Sequence, residues 1–287
     1  MRHYDHRVHA GNAGDVWKHF LLLEAASCLL DPESSLVYAE SHVGRPEYVL
    51  KAPGDWEGGI GKCWPLLPSL RTFCYFDILY ELNPDSRIGI NAGDLSRGSL
   101  IYPGSARLVL ELAKRKGARI LGEIWDIDPE VAASWRACSK SDLMTFHQGD
   151  GFAGIAEMLG RSPPGLLFVD PPYIDPKDAG LAKRLLDRAC ISGWIVLWWY
   201  MTDMKTISPG VYPAAVPGSG NIEGYDSGKY ILEKFDLDFE RIGLNGGRWK
   251  GSTVALAGSG GPRSEQVARH LHQRSKELMC IVSDAIS

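Results

Sequence analysis

GLLFVDPPY, residues 165–173, is the most informative segment of this 287-residue chain. Its first five residues form a continuous apolar run, which is typical of a short strand that is buried on both faces. Pro171 and Pro172 end the strand, because neither has the backbone N–H that a sheet requires. The segment therefore predicts a buried strand that stops at Asp170 and opens into a stiff turn.

The segments on either side continue this pattern as an alternation of strands and helices. Apolar runs predict further strands at 35–40, 118–125, 142–147, 194–200, 230–239 and 251–257. Helical spacing of apolar residues, capping residues and Asp-Pro starts predict helices at 14–30, 105–116 and 152–159, and from 128, 175 and 263 onward. This order favours an α/β fold with a doubly wound, mainly parallel sheet.

The alternation is interrupted between residues 45 and 99, which are rich in Gly and Pro and carry scattered aromatic residues. This stretch shows no regular strand–helix repeat, and we interpret it as a small insertion subdomain with short elements of its own. Residues 1–44 and 100–287 then form one discontinuous α/β domain.

The composition excludes several classes of protein. Lys and Arg total 31 against 35 Asp and Glu, and the formal net charge of −4 argues against bulk coating of nucleic acid or of an anionic membrane. The longest apolar run, near residues 194–201, is far shorter than the ~20 residues of a membrane-spanning helix, and no secretory signal is evident. Six cysteines without a CxxC pair are typical of reduced core residues, which favours the cytoplasm.

Acidic residues follow four of the predicted strands. Glu40, Asp126, Asp150 and Asp170 stand at or just beyond the strand ends. Each alone is most simply a helix cap, but the carboxyl ends of parallel strands meet at one edge of the sheet, where such folds bind their ligands. Four carboxylates at that edge indicate a ligand site.

The Asp170-Pro171-Pro172-Tyr173 turn has the chemistry of a site for an exocyclic amino group on a planar base. The carboxylate and the carbonyls of the proline turn accept hydrogen bonds, and Tyr173 offers a flat face for stacking. The alternative is a rigid strand-to-helix turn that the Asp170 side chain caps.

This tetrapeptide resembles the DPPY motif of amino-group (adenine N6) methyltransferases, and the N-terminal segment extends the resemblance. The opening of the chain is similar to that of the RlmJ family, and two later motifs follow in the family's order. The matching residues are Tyr4, His6, His9-Ala10-Gly11-Asn12, Asp15-Val16, Lys18-His19, Tyr102-Pro103-Gly104-Ser105 and Asp150-Gly151-Phe152.

The resemblance implies a Rossmann-like methyltransferase fold, S-adenosyl-L-methionine as the cofactor and methylation of N6 of one adenine in 23S ribosomal RNA. The implied cofactor contacts are His19, His42, Ser105, Asp126, Asp150 and Gly151. Asp170 is the implied catalytic acceptor, and the residues expected to contact or adjoin the substrate base are Tyr4, Lys18, Pro171, Pro172 and Tyr173. We also expect a flipped adenine, no metal, no membrane association, a cytoplasmic location and a monomer.

The sequence leaves alternatives open. Arg45-Pro46 replaces the Ala-Gly with which the family's first glycine-rich motif usually ends, and Asp126 stands where the family usually has Glu. A nucleic-acid-binding protein that kept the scaffold and lost catalysis is therefore a second hypothesis, and the family's link to the use of external DNA as a nutrient is a third. Half of the eight histidines lie in the first 19 residues, so a metal site is a fourth, although no carboxylate pattern accompanies them.

Overall fold

The computed structural model describes residues 6–84, 100–138, 143–204 and 229–286. The strands in this part of the chain are β1 (Ser35–Glu40), β2 (Glu47–Leu50), β3 (Leu100–Pro103), β4 (Arg119–Asp126), β5 (Met144–Gln148), β6 (Leu166–Val169), β7 (Ile195–Met204), β8 (Ile231–Asp238) and β9 (Trp249–Ala257). Seven of them form a central sheet in the order β5-β4-β1-β6-β7-β9-β8, and β2 pairs with β3 in a separate small sheet.

The central sheet is mainly parallel. The strands β5, β4, β1, β6 and β7 run in the same direction, β9 is antiparallel to β7, and β8 is antiparallel to β9. All four residues of β6 are buried, as its unbroken apolar sequence predicts for a central strand. This arrangement confirms the predicted fold class, an α/β fold with a doubly wound, mainly parallel sheet.

Helices cover both faces of the sheet. They are α1 (Ala13–Leu29), α2 (Ile60–Cys63), α3 (Leu67–Leu70), α4 (Cys74–Leu82), α5 (Ser105–Arg115), α6 (Pro129–Ala137), α7 (Gly151–Met158), α8 (Asp178–Ile191) and α9 (Pro262–Ile286). The larger hydrophobic core joins one sheet face to α1, α4, α5 and α9, and the smaller core joins the other face to α7 and α8. Helix α1, which carries the expected site residues Lys18 and His19, is therefore buried in the larger core.

The predicted boundaries agree with the observed ones to within about two residues except at α8 and at the end of β7. Helix α8 begins at Asp178 rather than at the predicted Asp175. Asp175 accepts the backbone N–H of Lys177 at 2.9 Å, and its own N–H donates to Asp178 at 3.3 Å. The Asp-Pro start therefore forms a capped turn before the helix rather than the first helical turn.

The stretch predicted as an insertion packs against the α/β domain. Strand β2 pairs with β3, and the short helices α2, α3 and α4 follow β2 along the chain. Trp56, Phe73 and Phe76 are buried in the same hydrophobic core as Phe20 of α1. The described part of 45–99 therefore shares a core with its surroundings, and its status as a separate subdomain stays a prediction.

The structure bears on two expectations from composition, which concern membrane-spanning helices and the cysteines. Among the helices described, none has both the length and the apolar character of a membrane span. All six cysteines are unpaired, but only Cys63 and Cys190 are buried and Cys280 is exposed, so the expectation that all six are core residues was wrong.

The carboxyl ends of β1 and β6 lie side by side at the point where the strand order reverses. Glu40 is in register with Phe168, and the Ser41 N–H donates to the Phe168 carbonyl at 3.3 Å. In doubly wound sheets the ligand crevice opens at this reversal point. The topology therefore brings the end of β1 next to Asp170.

Candidate functional site

An ion-pair network between α1 and the turn after β6 forms the centre of the candidate site. Lys18 Nζ lies 2.7 Å from Asp170 Oδ2 and 2.7 Å from Asp15 Oδ1. Only 6% of the Lys18 side chain and 14% of the Asp170 side chain are exposed. The ammonium also lies over the Trp199 ring, 4.5 Å from its centroid. The structure thus brings together Lys18 and Asp170, which the sequence analysis had expected near the same substrate.

The first turn of α1 holds Asp15 in this network. Asn12 is the N-cap, and its side-chain oxygen accepts the Asp15 N–H at 2.9 Å. Asp15 in turn accepts the Gly11 N–H at 2.8 Å, so each of the two side chains satisfies a backbone donor near the helix start. His6 Nε2 lies 3.3 Å from the same Asp15 oxygen. This capping arrangement directs Asp15 toward Lys18.

The electrostatics of the network favour an ammonium at Lys18 and a carboxylate at Asp15. Burial alone would lower the pKa of Lys18, but the two carboxylates raise it above its ordinary value. Burial alone would raise the pKa of Asp15, but Lys18 and His6 hold it well below its usual range. Burial raises the pKa of Asp170, and the Lys18 ammonium opposes that rise. One buried cation thus offsets two buried carboxylates.

Glu40 is a further buried carboxyl group, at the end of β1. Tyr38 Oη donates to its Oε2 at 2.6 Å, and Ser105 Oγ donates to its Oε1 at 2.5 Å. Burial raises the pKa of Glu40 to about 8, although both hydrogen bonds act in the opposite direction. The sequence pattern marks Glu40 only as an acidic strand end and assigns it no role. Its position directly after a buried apolar run is the signal that could have identified it.

Replacing Glu40 with Gln is expected to remove a pH dependence of stability. The pKa of this carboxyl is about 8 in the folded protein and near 4.5 in the unfolded chain. Between those values the folded state binds one proton more than the unfolded state, so the free energy of unfolding of the wild type falls as pH rises, by up to about 1.4 kcal/mol per pH unit. Gln cannot ionise, so the variant should lack this slope.

Urea unfolding at several pH values between about 5 and 8 measures the effect. The quantity to compare is the slope of the variant-minus-wild-type difference, because the substitution also has a pH-independent effect on the bonds to Tyr38 and Ser105. We expect the difference to move in favour of the variant with rising pH. A flat difference over this range would show that Glu40 is ionised in the folded protein.

The loop after β1 is held against the end of β4. Asp126 accepts the Gly44 N–H at 3.0 Å on one oxygen and the Asp128 N–H at 2.9 Å on the other. Gly44 has a φ of 62°, and a Cβ there would lie 2.6 Å from Tyr48 Oη, so this position requires glycine. Burial raises the pKa of Asp126. The carboxylate thus accepts main-chain bonds on both oxygens, and a carboxylate has about four lone-pair sites, so it can also accept a hydrogen bond from a ligand.

The start of α7 approaches the same loop. Asp150 is the N-cap, and its Oδ1 accepts the N–H groups of Phe152 and Ala153 at 2.9 and 3.2 Å. A Cβ on Gly151 would lie 1.7 Å from the Ser41 carbonyl oxygen. Only glycine therefore allows α7 to come this close to the loop after β1. The structure gathers Asp126, Asp150 and Gly151 along one part of the sheet edge.

The two histidines expected at the cofactor lie in different surroundings. His42 packs edge-on against Phe152 with ring centroids 4.7 Å apart, and its Nδ1 lies 2.9 Å from Ser41 Oγ. His19 is 4% exposed, and its Nδ1 lies 2.8 Å from Tyr102 Oη. Burial lowers the pKa of His42 to about 4 and that of His19 to about 3, so both rings are neutral at pH 7. The structure groups His42 with the sheet edge and places His19 in the core.

Ser105 and Tyr4 complete the expected set of contacts. Ser105 is the first residue of α5, and its hydroxyl is turned toward Glu40. Tyr4 lies outside the described residues, as does His3, so the expected contact of Tyr4 with RNA stays a prediction. Over the described ranges, no three His, Cys, Asp or Glu side chains are grouped as metal ligands.

Tyr173 has an unusual backbone and a fixed hydroxyl. Its φ of 53° is the only positive value among the described non-glycine residues. The hydroxyl donates to the Trp199 carbonyl at 2.5 Å and accepts from Trp198 Nε1 at 2.7 Å. Pro171 before it is buried and Pro172 is exposed, while Tyr173 itself is partly exposed. The ring is thus tied to β7 through its hydroxyl, in a partly exposed residue three positions after Asp170.

Comparison with known proteins gives two curated relatives, while no protein-family model matches the chain. Ribosomal RNA large subunit methyltransferase J of Haemophilus influenzae is 25% identical over 208 residues, which are 69% of this chain and 70% of the relative. The protein of the same name from Escherichia coli K12 is 25% identical over 235 residues, or 76% and 77% of the two chains. These relatives confirm the resemblance to the RlmJ family that the motifs indicated.

The architecture also has a counterpart among solved structures. A crystal structure of a Legionella pneumophila protein superposes with a TM-score of 0.65 at 19% sequence identity, covering 96% of this chain and 94% of the other. This likeness concerns the fold alone, and it extends over nearly the whole chain.

Proposed function

We propose that this protein transfers a methyl group from S-adenosyl-L-methionine to the N6 amino group of an adenine in 23S ribosomal RNA. The observation that carries the proposal is the turn after β6, which presents the Asp170 carboxylate, paired with Lys18, beside the tethered ring of Tyr173. A planar base with an exocyclic amino group needs an acceptor and a flat face. The names of the two relatives support methyl transfer to the RNA of the large ribosomal subunit.

The residues at the ends of β1, β4 and β5 fit the proposed cofactor. The Asp126 carboxylate would accept hydrogen bonds from ribose hydroxyls through its remaining lone pairs. The other residues that would hold the cofactor are His42, Ser105, Asp150 and Gly151. When bound, S-adenosyl-L-methionine supplies an electrophilic methyl carbon attached to a positively charged sulfur.

Asp170 would make the amino group a better nucleophile. The lone pair of the adenine amino nitrogen is delocalised into the ring, which makes the amine weakly nucleophilic. Hydrogen bonds from its two N–H groups to the Asp170 carboxylate and the Pro171 carbonyl favour a pyramidal nitrogen with a localised lone pair. The ammonium formed by the transfer is acidic, and its proton leaves to Asp170 or to water.

Lys18 would keep Asp170 in position for this role. Its ammonium anchors one Asp170 oxygen at 2.7 Å and is itself fixed by Asp15 and the Trp199 ring. Holding reacting groups in one geometry contributes up to about 7–11 kcal/mol in well-oriented reactions. The buried network therefore supports positioning as the main source of rate acceleration.

The charge balance of the chain suits a protein that holds one flipped base in a small site. With a formal net charge of −4, we expect affinity for RNA to depend on few phosphate contacts. The slope of log affinity against log salt concentration should then have a magnitude of about 3 or less, which corresponds to about four neutralised phosphates. Binding titrations with 23S ribosomal RNA at several salt concentrations measure the slope. A much steeper slope would contradict this interpretation of the charge.

A monomer in the cytoplasm is part of the same proposal.

Labelled methyl transfer tests the function directly. The purified protein is incubated with labelled S-adenosyl-L-methionine and unmodified 23S ribosomal RNA, and the RNA is digested to nucleosides. We expect the label in N6-methyladenosine; label in another nucleoside would contradict the amino-group assignment.

Calorimetry with S-adenosyl-L-methionine separates this function from a non-catalytic one. Arg45, which replaces the small residue usual in the family's first motif, pairs with Glu130 at 2.5 Å beside the end of β4. If the cofactor does not bind while RNA does, a nucleic-acid-binding protein on the same scaffold is the better description. Cofactor binding at micromolar concentration or tighter supports the enzyme.

A further inference from the structure

Strand β7 contributes two adjacent tryptophans, Trp198 and Trp199, which the sequence pattern explains only as buried strand residues. In the structure both engage the hydroxyl of Tyr173. The indole N–H of Trp198 donates to the phenolic oxygen at 2.7 Å, and the phenolic O–H donates to the Trp199 carbonyl at 2.5 Å. The hydroxyl therefore uses its proton and one lone pair in two directed contacts.

Tyr173 requires such an anchor because its backbone is strained. A bulky residue with a φ of 53° is disfavoured by the contact of its Cβ with the backbone, and it persists only where its surroundings hold it. Pro171 and Pro172 stiffen the chain before it. Trp198 is 2% exposed, so its ring cannot move away from the phenol without disturbing the core.

We propose that Trp198 is a positioning residue for methyl transfer, which acts by holding the Tyr173 ring as the stacking platform for the substrate base. This role rests on the proposed function. Trp198 acts through Tyr173, since its N–H is directed to the phenolic oxygen. A ring that is fixed before the base arrives loses less freedom on binding, and stacking depends on its orientation.

Two conservative variants and one matched control test the role. Trp198→Phe keeps an aromatic ring and removes the N–H donor, while Tyr173→Phe keeps the stacking ring and removes the hydroxyl. Trp194→Phe is the control, because Trp194 is fully buried just before β7 and its indole N–H has no hydrogen-bond partner. The measurements are kcat and KM for 23S ribosomal RNA, the Kd for S-adenosyl-L-methionine and the free energy of unfolding.

We expect Trp198→Phe and Tyr173→Phe each to lower kcat/KM for RNA by about threefold to tenfold, the range of one or two neutral hydrogen bonds. The Kd for the cofactor should change by less than about twofold, because the anchor lies on the base side of the site. The double variant should be no less active than Tyr173→Phe alone, since Tyr173→Phe already breaks the hydrogen bond that Trp198→Phe removes. Trp194→Phe should retain kcat/KM within about twofold.

Several outcomes would overturn the role. One is a Trp198→Phe variant that is less stable but has the kcat/KM of the wild type, since the contact would then be only structural. Others are multiplicative losses in the double variant, or a cofactor Kd that rises together with the loss of activity. If Trp198→Phe does not fold, Tyr173→Phe still decides the matter, because an unchanged kcat/KM there removes the reason for an anchor. A wild type that transfers no methyl group to 23S ribosomal RNA overturns the proposed function itself and this role with it, whereas an active wild type with an equally active Trp198→Phe overturns the role alone.

Discussion

An Asp170→Ala variant should transfer methyl groups to 23S ribosomal RNA at least about a hundredfold more slowly than the wild type. Alanine offers no acceptor to the adenine amino group. The lone pair of the amino nitrogen would therefore stay delocalised, and the ammonium formed by the transfer would lack a nearby carboxylate to take its proton. Loss of a positioned proton acceptor typically costs about 10²–10⁴ in rate. Binding of S-adenosyl-L-methionine should persist, because its expected contacts lie at the ends of β1, β4 and β5. Single-turnover transfer and calorimetry measure the two quantities separately.

The Asp170→Ala protein should remain folded. Lys18 keeps its ion pair with Asp15 at 2.7 Å, and Asp15 keeps the Gly11 N–H at 2.8 Å. The variant thus leaves one buried cation with one buried carboxylate. Burial already disfavours the ionised form of Asp170, so removing that group also removes an unfavourable contribution to folding.

Two variants serve as controls for this prediction. Asp175→Ala removes a carboxylate from the same turn that only caps the Lys177 N–H, and it should retain activity within a few fold. Asp170→Asn preserves volume but lacks the charge, and it should lose at least about tenfold, since an amide oxygen is the weaker acceptor. Wild-type transfer by Asp170→Ala would remove Asp170 from the mechanism.

The elements of the fold could be predicted from the sequence because their signals are local. The apolar run before Asp170 predicts β6, and the proline at position 129 after Asp128 predicts the start of α6 within one residue. The alternation of such elements limits the topology to a mainly parallel sheet. The predicted start of α8 was wrong because an Asp-Pro pair is typical of a helix start. Here the Asp175 side chain instead accepts the Lys177 N–H in a turn that precedes the helix.

The sequence could predict where the candidate site lies but not which contacts its side chains make. The acidic strand ends and the DPPY resemblance predict that Asp170 lies at the edge formed by the carboxyl ends of the parallel strands, as observed. The contact of Lys18 with Asp170, however, joins a residue of α1 to the turn after β6, and it depends on how α1 packs against the sheet. The raised pKa of Glu40 and the anchoring role of Trp198 likewise depend on burial and long-range partners that no local pattern encodes.

Lys18→Met should destabilise the protein by about 3–5 kcal/mol and abolish transfer. The substitution keeps an unbranched side chain of similar length but removes the cation that pairs with both Asp15 and Asp170. Two buried carboxylates would then face each other with only His6, 3.3 Å from Asp15, to offset their charge, and removing one partner of a buried ion pair is costly. Urea unfolding at pH 7 measures the loss, and transfer assays on the folded fraction measure activity.

Lys183→Met is the matched control for Lys18→Met. Lys183 makes an i,i+4 ion pair of 3.1 Å with Asp187 on α8, and the two side chains are 21% and 35% exposed. Helix pairs of this spacing contribute about 0.3–0.5 kcal/mol where solvent reaches them, so this variant should differ much less from the wild type than Lys18→Met does. Equal stabilities for the two variants would show that burial does not strengthen the Lys18 network.

Acidification should reverse much of the Lys18→Met defect. Without the ammonium, burial and mutual repulsion raise the folded-state pKa of Asp15 and Asp170 above the unfolded values. Groups shifted in this direction stabilise the folded state most at low pH and lose that contribution as pH rises through the folded pKa. The stability deficit against the wild type should therefore shrink as pH falls from about 7 to 5.

Adding Asp15→Asn to Lys18→Met should restore part of the stability at pH 7 without restoring transfer. A deficit that stays constant with pH and is not relieved by Asp15→Asn would mean that Lys18 contributes through packing rather than through charge.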